Sequence, residues 1–316
     1  MSLARSPFVV AFGECMVELR QVEPGLMRQS FGGDTLNTAL YLARLAGSAY
    51  SVGYATALGG NDPYSHEMAA AWQAENIDTR LVARMPGEMP GLYSIQVDAQ
   101  GERHFSYWRQ NAPVRRYFSA PERSLLEAQQ DGVDLLYLSG ISLAILPQAG
   151  RERLLALMQA IRQRGGQVVF DNNYRPRLWN SADEARAIYA RAYALASTAL
   201  ITLDDEMAVL NSYDAAAALE HIGRYGCAET IIKRGQQPTL VCVDGAVPVE
   251  VKTTVVDKVV DTTAAGDSFA AGYVAGRLHG LAPAAAAAAG NRLAGLVIQH
   301  PGAIIPSELM PGNLFA

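Results

Sequence analysis

Residues 255–272 carry the pattern from which the fold of this chain is inferred, and they read V-V-D-K-V-V-D-T-T-A-A-G-D-S-F-A-A-G. Its first six residues alternate around valine and predict a short strand over 255–260. A turn of small residues follows at 261–266, and a helix is predicted to begin at Asp267. A strand, a tight turn and a helix in this order form one repeating unit of an α/β fold. Small residues in the turn let the backbone N–H groups of the helix approach an anion.

Asp267 stands in the first turn of that helix, beside the predicted anion site. Phosphoryl transfer needs a cradle for the moving phosphate and a base for the attacking hydroxyl, and a carboxylate at this place suits the second role. An Asp that only caps or stabilises its own helix is the alternative, and this stretch alone leaves both open. The helix dipole and nearby donors are expected to keep Asp267 ionised, and therefore a weak base. Asp261, on the strand side of the turn, is expected to matter much less.

Two motifs carry a resemblance to a known family. D-T-T-A-A-G-D-S-F-x-A-G resembles the C-terminal signature of the ribokinase-like (PfkB) sugar kinases. The resemblance implies Asp267 as catalytic base and an anion hole for the phosphates at Ala264, Ala265 and Gly266. G-G-D-T-L-N-T-A is similar to the N-terminal signature of the same family, in which the second glycine and the asparagine touch the sugar. It implies substrate contacts at Gly33, Asp34, Thr35, Leu36 and Asn37, although a glycine pair before a helix is also typical of a simple turn.

Composition places the chain among globular proteins, because half of its 316 residues are hydrophobic and 18% are charged. The length fits one large domain with an appendage, or two small domains. A formal net charge of -5 argues against a nucleic-acid binder. Three cysteines without paired spacing suggest free thiols in a reducing compartment. No apolar run is long enough for a signal peptide or a membrane span, so a cytoplasmic location is expected.

Strands and helices alternate along most of the chain. Strands are predicted at 8–12, 51–58, 135–139, 167–171, 199–203, 230–234 and in a hairpin of 239–243 with 249–252, and helices at 63–75, 151–164, 182–197, 205–210 and through the alanine run 284–289. This order predicts an α/β fold, a doubly wound and mostly parallel sheet with helices on both faces. Ligands of such folds bind beyond the carboxyl ends of the strands. The resemblance implies one ribokinase-like domain over 1–316.

Residues 91–107 form a hairpin signature, with its turn at 99–102. Its aromatic side chains need cover from a ligand, the main domain or another subunit, although an ordinary surface hairpin is the alternative. Residues 16–19 alternate as a further strand, whereas 21–30 is polar and turn-like. In the resembled family a small sheet forms a lid over the sugar and is often shared in a dimer. The resemblance therefore implies lid segments at about 15–31 and 88–112, and a homodimer or a higher homo-oligomer.

Two arginines favour an acidic substrate. Asp171, Asn173 and Arg175 alternate after a predicted strand, so their side chains are expected to point to one side. Arg109 ends the hairpin in Y-W-R. Because arginine binds carboxylates with two parallel hydrogen bonds and a neutral hexose needs neither arginine, we expect a sugar acid. For the row after the strand, the alternative is loop solvation with a surface ion pair of Arg175.

Four segments resemble the 2-keto-3-deoxygluconate kinase branch of the family: P-G-L-Y, Y-W-R, L-Y-L-S-G-I-S-L-A and F-D-N-N-Y-R-P-R-L-W. They imply sugar contacts at Tyr93, Tyr107, Trp108, Arg109 and Arg175. The resemblance further implies nucleotide contacts at Asn173, Tyr174, Arg175, Lys233, Arg234, Gly235, Gln236 and Asn291. The family's N-x-x-E magnesium motif is incomplete, because Leu203 stands at the Asn position. Glu206 remains a candidate for the outer shell of the metal.

The resemblance implies an enzyme that uses ATP and Mg²⁺ to phosphorylate 2-keto-3-deoxygluconate on its primary hydroxyl. Several alternatives stay open: the galactonate epimer as substrate, a fructokinase or ribokinase, and a non-catalytic sugar-acid sensor on the same fold. Retention of Gly266 and Asp267 together argues against the sensor, which needs no base. No P-loop, protein-kinase or zinc motif occurs in the sequence. The motifs leave the oligomeric state and any requirement for a monovalent cation undecided.

Overall fold

The inner strands of the central sheet are short apolar runs, as expected where helices cover both faces. The computed structural model describes residues 5–97, 103–211 and 214–315. The strands are β1 (Phe8–Phe12), β2 (Met16–Glu23), β3 (Leu26–Gly32), β4 (Ser51–Gly59), β5 (Ile77–Asp78), β6 (Val82–Met85), β7 (Leu92–Val97), β8 (Arg103–Trp108), β9 (Leu135–Ser139), β10 (Gln167–Asp171), β11 (Thr198–Thr202), β12 (Glu229–Arg234), β13 (Gln237–Val243) and β14 (Val249–Val251). The α-helices are α1 (Asp34–Ala46), α2 (Pro63–Ala74), α3 (Leu125–Ala128), α4 (Gly140–Ala144), α5 (Gln148–Gln163), α6 (Ala182–Leu195), α7 (Leu203–Leu210), α8 (Ala215–Gly223), α9 (Ala265–Leu278) and α10 (Pro283–Val297).

The main sheet has ten strands in the order β14-β13-β12-β11-β10-β9-β1-β4-β5, with β6 also paired to β4. Its pairs are parallel from β5 to β12, whereas the β12–β13 and β13–β14 pairs are antiparallel. The predicted doubly wound, mostly parallel sheet is confirmed. Because parallel strands end at one edge, the segments after β1, β9, β10 and β12 meet there.

Helices cover both faces of this sheet, and each face has its own apolar core. One core joins the sheet to α1, α2, α9 and α10 through buried residues such as Leu36, Trp72 and Leu293. The other joins it to α3–α8 through residues such as Leu154 and Ile222. The burial of both faces explains why the strands lack polar alternation.

A second sheet of four strands stands apart, in the order β3-β2-β7-β8. β7 and β8 are the predicted hairpin, and β2 is the predicted further strand, which pairs with β7 in parallel. The predicted turn at 99–102 lies outside the described residues. β2 occupies residues 21–23 of the segment 21–30 that is predicted to be turn-like, and β3 occupies residues 26–30 of it. Its side chains are largely exposed, so no apolar alternation marks it, and pairing with β2 across a turn at Gly25 makes it a strand.

The strand predicted at 255–260 is wrong. This segment pairs with no strand in the described part of the chain, and the N–H groups of Val260 and Asp261 donate to the carbonyl of Ile298, just beyond α10, at 2.8 and 3.1 Å. Val255 is 92% exposed. Because the end of this segment bonds to the residue after α10 and not to a neighbouring strand, its valines do not pack in a sheet.

In the described part of the chain, no helix is both long enough and apolar enough to cross a membrane. The cysteines are free thiols, as predicted: Cys15 and Cys227 are buried, and Cys242 is half-buried.

Candidate active site

The N-terminus of α9 opens at the carboxyl edge of the main sheet. The helix begins at Ala265, two residues before the predicted start, and Ala264 precedes it in the left-handed conformation with φ 60°. No side chain among the described residues caps this end, which leaves first-turn N–H groups available to an anion. The N–H of Ala265 already donates to the carbonyl of Thr262 at 3.2 Å. We therefore expect Gly266 and its neighbours, rather than Ala265, to supply the donors of the anion hole.

Asp261 fixes the turn in front of this helix, a role that the sequence did not indicate. Its Oδ1 accepts from the backbone N–H and the hydroxyl of Thr263 at 2.9 and 2.6 Å, and its Oδ2 accepts from the N–H of Gly302 at 3.0 Å. The residue is only 5% exposed. Asp261 is thus part of the framework of the anion site and not a neutral neighbour of Asp267.

Asp267 meets the N-terminal half of the chain. Its Oδ2 accepts from Nδ2 of Asn37 at 2.8 Å, and its backbone carbonyl accepts from the hydroxyl of Thr38 at 3.3 Å. The pKa of Asp267 is raised to about 7, mainly by burial and also by the carboxylates of Asp34 and Asp171, against the lowering effect of Asn37 and Lys233. The expectation of a fully ionised, weak base is wrong for the ligand-free protein. Two neighbouring carboxylates and burial outweigh the helix dipole.

Lys233 joins the ends of β10 and β12 to the anion site. Its Nζ lies 2.9 Å from Oδ2 of Asp171, and both side chains are largely buried. The same Nζ lies 3.6 Å from the place that a Cβ on Gly266 would occupy. A cation is therefore held beside the N-terminus of α9, where both attract a phosphate.

The polar row after β10 does not alternate as predicted. The strand ends at Asp171, and Asn173 has a positive φ of 25°, so the following side chains diverge. Nδ2 of Asn173 donates to Oδ2 of Asp34 at 2.6 Å. Arg175 is half-exposed and pairs with Asp205 at 3.3 Å, while Tyr174 is buried. Asn173 thus lies on the Asp34–Asp267 side of the cleft, and Arg175 lies at its rim.

The glycine and helix motif at the start of α1 has a packing reason of its own. A Cβ on Gly33 would lie 2.0 Å from the backbone oxygen of Glu14, so only glycine fits there. The side chains of Thr35 and Leu36 are 0 and 3% exposed, and Thr35 bonds the hydroxyl of Tyr54. Their predicted substrate contact is wrong for the side chains, which face the core and leave only backbone N–H groups for a ligand.

The cleft face of the small sheet carries the predicted tyrosines and arginine. Tyr93 is 9% exposed, donates to Glu18 and stacks on Tyr107 with ring centroids 5.8 Å apart. The guanidinium of Arg109 lies 5.8 Å from the centre of the Tyr107 ring and forms an ion pair with Glu14, which the sequence did not reveal.

A third arginine, Arg177, also acts on Tyr107. Burial raises the pKa of its hydroxyl, and the positive charges of Arg109, Arg175 and Arg177 lower it. The positive charges of all three arginines therefore act on the same phenol, and positive charge in this part of the cleft suits a carboxylate. Sequence reasoning missed Arg177, although it follows Arg175 by two residues.

Trp108 does not share this face. Successive residues of a strand point to opposite faces, so Trp108 faces away from Tyr107 and Arg109. It is 59% exposed and lines a groove of about 600 Å³ together with Met89 and Arg116. The predicted sugar contact of Trp108 is wrong.

The predicted nucleotide residues divide into two groups. Gly235, with φ 60°, makes the β12–β13 turn next to Lys233. Arg234 instead binds the carbonyl of Pro238 and Glu250 at 2.7 and 2.9 Å, and the backbone of Gln236 accepts from Thr253 at 2.7 Å.

Asn291 is a structural residue. Its Oδ1 accepts from Thr239 at 3.0 Å and its Nδ2 donates to the carbonyl of Lys252 at 3.1 Å, so α10 is tied to the edge of the sheet. Both side-chain groups are used inside the protein, which argues against the predicted contact with adenine.

Glu206 is fully buried beneath the cleft. Its Oε2 accepts from Tyr193 and, at 3.2 Å, from Nδ2 of Asn172. Asn172, from the end of β10, thus gives Glu206 the asparagine partner that Leu203 cannot supply. Among the described residues, Oε1 of Glu206 has no hydrogen-bond partner, and no group of three His, Cys, Asp or Glu could bind a metal directly. A buried carboxylate oxygen without a partner fits a contact through an ordered water.

Comparison with known proteins agrees with this geometry. The family model described as pfkB family carbohydrate kinase matches residues 6–310. The chain is 47% identical over 306 residues to 2-dehydro-3-deoxygluconokinase of Dickeya dadantii, covering 96% of this chain and 98% of the relative. It is 44% identical to the protein of the same name from Escherichia coli K12, again covering 96 and 98%. A solved E. coli structure described as a ribokinase II with ATP and Mg²⁺ superposes with a TM-score of 0.82 at 20% identity, covering 94% of each chain, and shows the shared fold.

Proposed function

The chain belongs to the pfkB family of carbohydrate kinases, and we propose that it is a 2-dehydro-3-deoxygluconokinase. It transfers the γ-phosphoryl group of ATP to the primary hydroxyl of 2-keto-3-deoxygluconate and releases the 6-phosphate and ADP. The observation that carries this proposal is the position of Asp267. Its carboxylate lies at the uncapped N-terminus of α9, within hydrogen-bonding distance of Asn37 from the other half of the chain.

Asp267 accepts the proton of the attacking hydroxyl. Asn37 holds Oδ2, which leaves Oδ1 for the proton. As that proton leaves, the hydroxyl oxygen bonds to the γ-phosphorus and the bond to the β-phosphate oxygen breaks. A carboxyl with a pKa of about 7 is a stronger base than an ordinary aspartate, and near pH 7 it is balanced between its two forms. The raised pKa therefore favours proton transfer.

The phosphates bind at the N-terminus of α9. The N–H groups around Gly266 and the ammonium of Lys233 face the charge that develops on the transferred group. A side chain at position 266 would intrude on this space. When bound with the nucleotide, Mg²⁺ neutralises charge on the β- and γ-phosphates, and Glu206 would reach it through water.

The arginines around Tyr107 support an acidic sugar. Arg109 and Arg175 hold the carboxylate, and Asp34 and Asn37 meet sugar hydroxyls. Among the described residues, Nε of the buried Arg109 has no hydrogen-bond partner, and a substrate carboxylate would supply one that matches its charge. Arg177 adds a third positive charge at the rim.

The small sheet completes the site. We treat residues 1–316 as one domain in which the segments at about 15–31 and 88–112 form a lid that excludes water and limits wasteful hydrolysis of ATP. Trp108, on the face of β8 that points away from the cleft, is 59% exposed, and an exposed aromatic side chain there supports burial by a second copy of the chain. Free thiols support a reducing, cytoplasmic environment.

One assay tests the proposal. ADP release is measured with 2-keto-3-deoxygluconate, its galactonate epimer, fructose and ribose under the same conditions. The keto-deoxy acid should have the highest kcat/KM. A preference for fructose or ribose would make this chain a neutral-sugar kinase, and an absence of turnover with all four would favour a sensor.

A further inference from the structure

Glu14 lies where both ends of the β7–β8 hairpin meet the end of β1. The amide of Val17 donates to the carbonyl of Gly91 at 2.8 Å, which brings the first end of the hairpin to this point. A Cβ on Gly91 would lie 2.9 Å from Oε1 of Glu14 and 3.2 Å from Cβ of Arg109. Arg109, at the second end, donates to Oε2 of Glu14. One carboxylate therefore touches both connections of the lid.

This ion pair is enclosed but rests on a single contact. The side chains of Glu14 and Arg109 are 3 and 11% exposed. Among the residues that the structure describes, Oε1 of Glu14 and Nε of Arg109 find no hydrogen-bond partner. The two groups are thus held by charge attraction through one hydrogen bond, and not by the two parallel bonds that arginine and a carboxylate often form. Removal of the charge on Glu14 should release Arg109.

We propose that Glu14 is a positioning residue that holds the guanidinium of Arg109 toward the substrate carboxylate. This inference rests on the proposed function. Arginine keeps its proton, and its long stem lets the head turn to water when a counter-charge is lost. Without Glu14, Arg109 leaves the cleft and the acid loses a binding partner. If Glu14 only weakened the positive potential, its removal would instead tighten binding of the acid, so the two roles predict opposite changes in KM.

Glu14→Gln is the direct test, because glutamine keeps the size of the side chain and removes its charge. Activity of the wild-type enzyme on 2-keto-3-deoxygluconate, measured first, decides the proposed function. On that activity we expect the variant to raise KM for the acid roughly tenfold or more, as loss of a charged hydrogen bond does. kcat should change by less than about threefold, and KM for ATP should stay the same. In an Arg109→Ala background, Glu14→Gln should raise KM no further.

Two further variants keep the test independent of folding. Gly91→Ala adds a methyl group that would press on both Glu14 and Arg109 without changing any charge. It should raise KM for the acid and preserve kcat. Glu88→Gln is the control, because it removes a different ion pair, between Glu88 and Arg116, near the start of the β7–β8 hairpin. It should leave KM unchanged. A KM for the acid that falls or stays constant in folded Glu14→Gln, or a rise of equal size in the Arg109→Ala background, would overturn the positioning role.

Discussion

Nδ2 of Asn37 lies 2.8 Å from Oδ2 of Asp267, although 230 residues separate them in the chain. The contact joins the first turns of α1 and α9, so the two helix N-termini meet at one point of the cleft. In the proposed reaction, a sugar hydroxyl bound beside Asn37 would lie against the carboxylate and the proposed phosphate site. The proposal therefore assigns much of catalysis to the relative position of these groups.

Asp267→Asn should fold and bind ATP but lose kcat by roughly 10²–10⁴, the usual range for loss of a general base. KM values should change far less, because asparagine is nearly isosteric. The measurement is steady-state kinetics with the sugar acid. Asp257→Asn is the matched control, since Asp257 is exposed, whereas Asp261 is unsuitable because it fixes the turn. A variant that kept more than about a tenth of the wild-type kcat would place the base elsewhere.

The pH dependence of kcat/KM should show an acidic limb centred near 7, where Asp267 of the free enzyme titrates. The base must be ionised, so activity falls as pH falls through this value. Asp34→Asn removes a neighbouring negative charge that raises this pKa, and should move the limb to lower pH. A limb that stays in place in this variant, or a profile that is flat from pH 5.5 to 8, would contradict the electrostatic account.

The stability of the ligand-free protein should also depend on Asp267. Below about pH 4 the carboxyl is protonated in both the folded and the unfolded chain. Between that pH and about 7 the unfolded chain releases the proton first, so the free energy of unfolding falls, and above 7 the loss is complete. Asp267→Asn removes this cost. It should therefore raise Tm at pH 8 and leave Tm unchanged near pH 4, and an equal shift at both values would show that the change is not electrostatic.

Arg109→Ala should mainly raise KM for the sugar acid. Loss of a charged hydrogen bond costs on the order of 1.5–3 kcal/mol, or roughly 10–150-fold in KM. Arg116→Ala is the control, because Arg116 pairs with Glu88 near the start of the β7–β8 hairpin, and this variant should leave KM for the acid unchanged. The measurement is initial-rate kinetics with the acid as varied substrate. An unchanged KM in Arg109→Ala would remove this residue from the site.

The exposed aromatic residues of β8 predict that the protein is at least a dimer in solution. Light scattering at assay concentrations measures this directly. Replacing Trp108, which faces away from the cleft, with a charged residue should shift the mass toward the monomer. A wild-type monomer with full activity would leave the catalytic assignment intact and exclude a shared lid.

The order of strands and helices was predictable because it depends on local patterns. Buried strands such as β1 and β10 are continuous apolar runs, and the start of α9 is marked by small residues before an acidic one. The same local view failed at 255–260, where valines alternate without a partner strand. It also failed at β3, where a partner strand exists but the alternation does not.

The sequence alone determined the fold class, the family signatures and the place of Asp267 at a helix start, since each depends on residues that are neighbours in the chain. Tertiary structure decided the rest. It raised the pKa of Asp267 by burying this residue near Asp34 and Asp171, and it paired Arg109 with Glu14. It also turned the side chain of Trp108 away from the cleft and used Asn291 to tie α10 to the sheet. These outcomes depend on desolvation and on charges distant in sequence, which act at a few ångströms once the chain has folded and which no local pattern records.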